Sequence, residues 1–158
     1  MWKLPLTQGK FALIDEWNAE FLQQWNWTAV RDRNDRWYAR RGTHLKIVHL
    51  HRVIAERAGL LNTTNLEIDH ANLDGLDNRI ENLRLATTAQ NSANRRKRSD
   101  NTSGHKGVSW HKQSGKWRVS ISYNGRRHYL GLFDLIEDAI RAYAEASEKY
   151  HAEYGRIK

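Results

Sequence analysis

Apolar positions divide this chain into three stretches with different periodicities. In residues 6–59 the runs Phe11-Ala12-Leu13-Ile14 and Trp37-Tyr38-Ala39 have the character of short strands, and the segment 46–55 ends in a pattern that predicts a helix stopping before Gly59. Trp17, Trp25, Trp27 and Trp37 offer the bulk from which a small domain builds a core. In the middle region, Leu66-Glu67-Ile68-Asp69-His70 reads as a strand. A polar loop runs through Asp77-Asn78-Arg79, and Asn82-Leu83-Arg84-Leu85-Ala86 reads as a second strand. Thr87 is placed to cap a helix over 89–96, with Asn91 and Asn94 three residues apart on one face. The last third predicts strands over 106–110, 116–123 and 127–133, the latter two joined by Asn124-Gly125, a strong hairpin signal. Asp134, with Glu137 as a capping-box partner, opens a helix expected to reach Tyr154 and stop at Gly155. Its Ala-rich face suits close packing on a sheet.

Composition narrows the partners. At 158 residues the chain suits one ordinary domain or two small ones. With 26 Lys and Arg against 18 Asp and Glu, its net charge of +8 favours a polyanion, nucleic acid first. A membrane surface is the alternative, but the basic residues fall in loops and strands, not along one helical face. No apolar run approaches the ~20 residues of a membrane span, and the N-terminus lacks a signal-peptide pattern, so a cytoplasmic protein is expected. The absence of Cys removes disulfides, thiol nucleophiles and Cys-ligated zinc together, leaving His, Asp, Glu, Asn and water for any metal site.

Between residues 95 and 102 the run Arg95-Arg96-Lys97-Arg98-Ser99-Asp100-Asn101-Thr102 reads as a linker. Because it joins two parts that each look DNA-directed, its four basic residues are expected to contact phosphate.

Asp69-His70, Asn82 and Asn91 form the chemically suggestive set. Asp and Asn oxygens suit a hard cation such as Mg²⁺, and a neutral imidazole can take a proton from an attacking water, as phosphodiester hydrolysis requires. Each residue alone has a bland explanation, a chance pair, a loop closure or a surface helix residue; their combination in a basic, Cys-free chain is what raises them. Adjacent strand residues point to opposite faces, so the strand must end or bend at Asp69-His70 for both to serve one site. His51, at a helix start, reads as a structural hydrogen-bonding group, with Arg52 a possible phosphate contact in the alternative.

These residues resemble a known family. Asp69-His70, Asp77-Asn78-Arg79-Ile80-Glu81-Asn82-Leu83-Arg84 and Gln90-Asn91-Ser92-Ala93-Asn94-Arg95 are similar to the HNH homing endonucleases of phages and introns, the ββα-metal nucleases, over about residues 7–96. The resemblance implies that His70 is the general base, that Asp69 and Asn91 hold one divalent metal, Mg²⁺ with Mn²⁺ as alternative, and that Asn82 tethers the loop and orients the site. The last position is Asn where many relatives carry His, and the zinc-binding Cys that brace some HNH enzymes are missing, so packing must hold the loop.

The C-terminal third carries a second signal. Trp117, Val119 and Ile121 alternate with Arg118, Ser120 and Ser122, and residues 101–133 contain no Asp or Glu. Gly107-Val108, Lys116-Trp117, Tyr129-Leu130-Gly131-Leu132-Phe133 and Ala139-Ile140-Arg141-Ala142-Tyr143 resemble the Apetala and ethylene-response-factor DNA-binding domain, over about 103–154. In that family a three-stranded sheet lies in the major groove. Carried over by position, the DNA face would hold Lys106, Ser109, His111, Arg118, Ser120, Ser122, Arg127 and Tyr129. Several of these are Ser or His where plant members carry Arg.

The expectation is an α+β protein: a ββα-metal HNH module over 1–96, a basic linker over 97–104, and a three-stranded antiparallel sheet packed on one helix over 105–158. It would hydrolyse duplex DNA as a homing-type nicking or cleaving enzyme, a phage-encoded monomer without a small-molecule cofactor. The alternative is a non-catalytic DNA-binding regulator on the nuclease fold, against which intact Asp69, His70 and Asn91 argue. An RNA-directed protein is disfavoured because neither part resembles a sheet with exposed stacking aromatics.

Overall fold

Short strands with frequent turn residues cannot make one large sheet, and in the computed structural model they make four small ones, so the protein is mixed α/β. The structure describes residues 1–60, 66–95, 97 and 100–155, with only the backbone of Glu153. Contacts divide the chain into two units, residues 1–87 and 88–158.

In the first unit, β1 (Trp2–Pro5) and β2 (Phe11–Ile14) form an antiparallel hairpin, turned by Gln8 and Gly9 at positive φ. A short helix α1 (Ala19–Gln23) leads to β3 (Thr28–Arg31), which pairs with β4 (Trp37–Gly42), and β4 with β5 (Ile47–His49). Helix α2 (Leu50–Arg57) follows directly. Its end is closed at Gly59, φ 72°, where the amide of Leu60 donates to the Ala55 carbonyl at 2.8 Å. Then β6 (Glu67–His70) and β7 (Leu83–Ala86) pair antiparallel, Asp69 opposite Arg84 and His70 opposite Leu83. Leu4, Ile14, Leu22, Trp27, Leu50 and Ile54 are fully buried at the centre.

Only part of the expected tryptophan core forms. Trp27 is buried and donates from Nε1 to the Leu22 carbonyl at 3.0 Å, and Trp25 packs edge-on against it. Trp17 is 51% exposed, with Arg57 over its ring, and Trp37 is half-buried under Lys10. Indoles at the margin of so small a unit can cover aliphatic stems while keeping a wet face.

The second unit contains α3 (Thr88–Asn94), a sheet of β8 (Val108–His111), β9 (Lys116–Tyr123) and β10 (Arg126–Phe133) with β9 central, and α4 (Ile136–His151). The Asn124-Gly125 turn has both residues at positive φ, 49° and 71°, as a type I′ hairpin needs. Val108, Val119 and Ile121 pack on Ala139, Tyr143 and Ala146. The small alanines let α4 approach the sheet. Asp134 does not cap this helix: Leu135 holds the cap position without a side-chain bond, and the Asp134 carboxylate pairs with Lys116 at 3.0 Å. Past His151 the chain tightens into a 3₁₀ turn, Ala152–Tyr154, before Gly155.

Candidate active site

The loop between β6 and β7 is held from the first hairpin. Leu13 exchanges backbone bonds with it, its amide donating to Leu76 and its carbonyl accepting from Asn78, both at 2.8 Å. The Asp15 carboxylate accepts from the Ile80 amide at 2.7 Å, at the head of the 3₁₀ turn Ile80–Asn82. Within the loop, Asp77 accepts two bonds from the Arg79 guanidinium and one from Asn72 Nδ2, and Arg79 beside it holds the carboxyl below its ordinary range. Asn82 is buried and spans the loop: Nδ2 donates to the Asp77 carbonyl at 2.7 Å and Oδ1 accepts from the Asn72 amide at 3.0 Å.

This frame sets Asp69 and His70 at the strand end. β6 stops at His70, whose carbonyl accepts from the Leu73 amide, and Leu73 turns with φ 67°. Both side chains are buried, 4% and 6% exposed. Oδ2 of Asp69 accepts from Arg84 Nε at 3.0 Å and lies 2.9 Å from Nη2. His70 Nε2 lies 3.3 Å from Asn78 Oδ1, while Asn78 Nδ2 reaches the Gly75 carbonyl at 3.4 Å. With the amide nitrogen turned to Gly75, the atom facing the ring can only accept, so Nε2 carries the proton and the lone pair of neutral His70 is on Nδ1. Burial pushes the His70 pKa below the ordinary imidazole value, only partly opposed by the Asn78 bond and by Asp69.

Around His70 stands an aromatic column that the sequence did not announce. His49 stacks on His51 at 5.3 Å between ring centres, His51 meets His70 edge-on at 5.2 Å, and Tyr38 is 6.0 Å from His70. Burial, then His70, His49 and Arg52, push His51 down to about 3. Asn78 and Arg84 stand inside the motif that pointed to the site. Tyr38 and His49 come from strands distant in sequence, and no local pattern marks them.

The other singled-out residues lie in the second unit. Asn91 is on α3 and partly exposed. On the sheet face opposite α4, Arg118, Ser122, Arg127 and Tyr129 are exposed, Ser109 and His111 half-exposed, and Ser120 buried, its hydroxyl accepting from Arg127 Nε at 2.8 Å. His111 Nδ1 is 2.8 Å from the Ser114 hydroxyl. Lys106 donates from Nζ to the carbonyls of Ala93 and Arg95, completing the C-terminal end of α3, where a cation is favoured. Lys97 Nζ donates to the Gly104 carbonyl at 2.8 Å, and Arg95 is exposed. Arg96 and Arg98 lie outside the described residues.

Two family profiles match parts of the chain. The HNH endonuclease family profile matches residues 48–93, and the AP2 domain profile matches residues 103–153. Protein 3.8 of Escherichia phage T7 is 35% identical over 91 residues, which cover 58% of this chain and 74% of that protein. The chain belongs to the HNH endonuclease family and carries an AP2 DNA-binding domain. No solved structure matches it. The HNH profile begins at Val48 and so takes in His49 and His51 as well as Asp69-His70, whereas β1 to β4 lie before it.

HNH nucleases generally use a divalent metal. Among the described residues no three His, Cys, Asp or Glu side chains gather into a ligand cluster. The donors nevertheless suit a hard cation, since Mg²⁺ takes one or two protein carboxylates and completes its shell with water, amide oxygen and substrate phosphate. Asp69 offers such a carboxylate, held in place by Arg84 through Oδ2. Among the described residues, no helix is long and apolar enough to cross a membrane.

Proposed function

We propose that the protein is a metal-dependent endonuclease that hydrolyses phosphodiester bonds in duplex DNA, a phage enzyme of homing type that nicks or cleaves, with its AP2 sheet holding the duplex. The observation that carries this is His70: a buried, neutral imidazole at a strand end beside a buried carboxylate, its Nε2–H anchored on Asn78 and its lone pair left on Nδ1. Such a group accepts a proton from water and cannot easily be mistaken for a surface histidine. Asp69 would hold the metal, Mg²⁺ or Mn²⁺, through a carboxylate oxygen. Asn91 is assigned as the second oxygen ligand because the HNH profile runs on to residue 93. When bound, the ion supplies charge neutralisation at the leaving oxygen. His70 Nδ1 takes the proton of the attacking water, Asn78 keeps the ring in the tautomer that can do so, and Asn82 keeps the loop closed beneath it.

In the second unit we assign duplex DNA to the face bearing Ser109, His111, Arg118, Ser120, Ser122, Arg127 and Tyr129, and assign Arg95, Arg96, Lys97, Arg98 and Lys106 to the same polyanion. Arg118 and Arg127 are the side chains suited to base edges, and the other basic groups neutralise phosphate. The test is incubation of supercoiled plasmid with the protein and Mg²⁺, with and without EDTA. Relaxed or linear product only with the free metal is expected. DNA binding with no cleavage under any divalent ion would instead establish a regulator that retains the nuclease fold.

A further inference from the structure

The basic residues of β4, the β4–β5 turn and the start of α2 have no part in the function above, yet the charge of this stretch is one-sided. Residues 36–55 contain no Asp or Glu, and within them lie Arg36, Arg40, Arg41, Lys46 and Arg52. Two of these five are engaged: Arg36 pairs with Asp32, and Arg41 stacks over Trp25 at 4.3 Å on the core side of β4. Arg40, Lys46 and Arg52 have no ion pair among the described residues.

Strand alternation decides where they lie. Arg41 and the buried Ala39 face the core, so Arg40 and Tyr38 are on the other face of β4, where Arg40 stands opposite His49 on β5. That is the face from which Tyr38 and the His49–His51–His70 column reach the active site. Arg52 is exposed on the first turn of α2, next to His51. Burial first, and then the charges of Arg40 and Arg52, depress the His49 pKa, so both arginines stand close to the column. At the end of the same ribbon the β4–β5 turn, tied by Thr43 to Lys46, projects Lys46 with Leu45, which is 94% exposed. An acid-free ribbon ending in cations beside the neutral histidine column complements a phosphate backbone and suits little else.

We infer that this outer face is a second DNA contact, in which Arg40 and Arg52 hold phosphates beside the histidine column and Lys46 holds the flanking backbone. It rests on duplex DNA being the substrate. The surface guides the strand to His70 independently of the AP2 sheet, and the division explains why a nuclease with a complete DNA-binding domain keeps a basic ribbon in front of its catalytic motif.

The test measures binding of the 158-residue chain to a random-sequence duplex in EDTA, where no cleavage contributes, over a range of salt. Arg40→Gln, Lys46→Gln and Arg52→Gln should each lower the log–log salt slope by roughly 0.9, and the triple variant by roughly 2 to 3, with thermal unfolding unchanged. A triple variant that is folded and keeps the wild-type slope overturns the inference while leaving the nuclease reading intact. Failure of the wild type to bind duplex DNA at all overturns both. An independent measurement uses the absence of native Cys. Lys46→Cys carrying a tethered iron chelate should cut the bound duplex when peroxide is added, and bound DNA left uncut by the tether counts against the contact.

Discussion

His70 combines three local conditions: burial, an acceptor on Nε2 and a carboxylate on the preceding residue. If it is the base, His70→Ala should cost at least ~10²-fold in single-turnover cleavage while duplex binding stays near wild type. Equal rates would remove it from the mechanism. Asp69→Ala should instead abolish stimulation by Mg²⁺, because it deletes the proposed carboxylate ligand. His51 makes a separate prediction about stability. Its folded pKa, about 3, is below the unfolded value near 6.5, so the unfolded chain binds a proton that the folded chain refuses. Stability is therefore full above pH 6.5 and declines as pH falls from there toward 3, by about 1.4 kcal/mol per pH unit from this group. In urea unfolding at a series of pH values, His51→Asn should show a shallower acid decline than wild type; an identical decline would mean that other groups carry it. At this scale the motif led to Asp69, His70 and Asn82 from sequence. Arg84 and Asn78 stood in the same motif, but their partnerships depend on which residues face each other across the β6–β7 pair and its loop.

Among the elements, β9 and β10 were legible because period-two alternation and an Asn-Gly turn are local signals. The turn residues take positive φ as that pair requires. β1 and β3 were missed: each is four residues long and is held by its partner strand more than by its own pattern. The α4 cap falls on Leu135, one residue past Asp134, whose carboxylate instead lies beside Lys116. Glycines separate local from tertiary demands within this unit. Gly125 has φ 71° and open space around it, so Gly125→Ala costs only backbone strain, about 1 kcal/mol. Gly107 has φ 74°, and an added Cβ would meet the Tyr143 ring at 2.1 Å and the Ser120 carbonyl at 2.6 Å. Gly107→Ala should therefore cost about 3 kcal/mol or more, combining backbone strain with overpacking of the α4 contact. Urea unfolding of the two variants, followed by tryptophan fluorescence, orders them; a larger loss for Gly125→Ala would contradict this packing.

For the whole molecule, the two-unit division gives a prediction about fragments. The α3 helix lies within the second unit, where the Lys106 ammonium closes its carbonyl end. A fragment of residues 88–158 should therefore melt several degrees above one of residues 103–158, which lacks that helix, and both should bind duplex DNA without a divalent ion. Equal melting temperatures would show that α3 adds nothing to the unit. In the 158-residue chain, Arg118→Ala or Arg127→Ala should weaken DNA binding by about 1 to 3 kcal/mol if the residue makes a bidentate base contact. Cleavage at saturating DNA should be spared. The sequence by itself determined that the chain is basic and Cys-free, that an Asp-His motif precedes an Asn-rich segment, and that an alternating acid-free region follows, because charge, residue chemistry and strand periodicity are written locally. Only the tertiary structure decided that the hairpin of β1 and β2 braces the β6–β7 loop, that Asn78 sets the His70 tautomer, and that Tyr38, His49 and His51 surround it. Those contacts join residues tens of positions apart, and burial and hydrogen bonding between distant segments leave no period in the sequence to read.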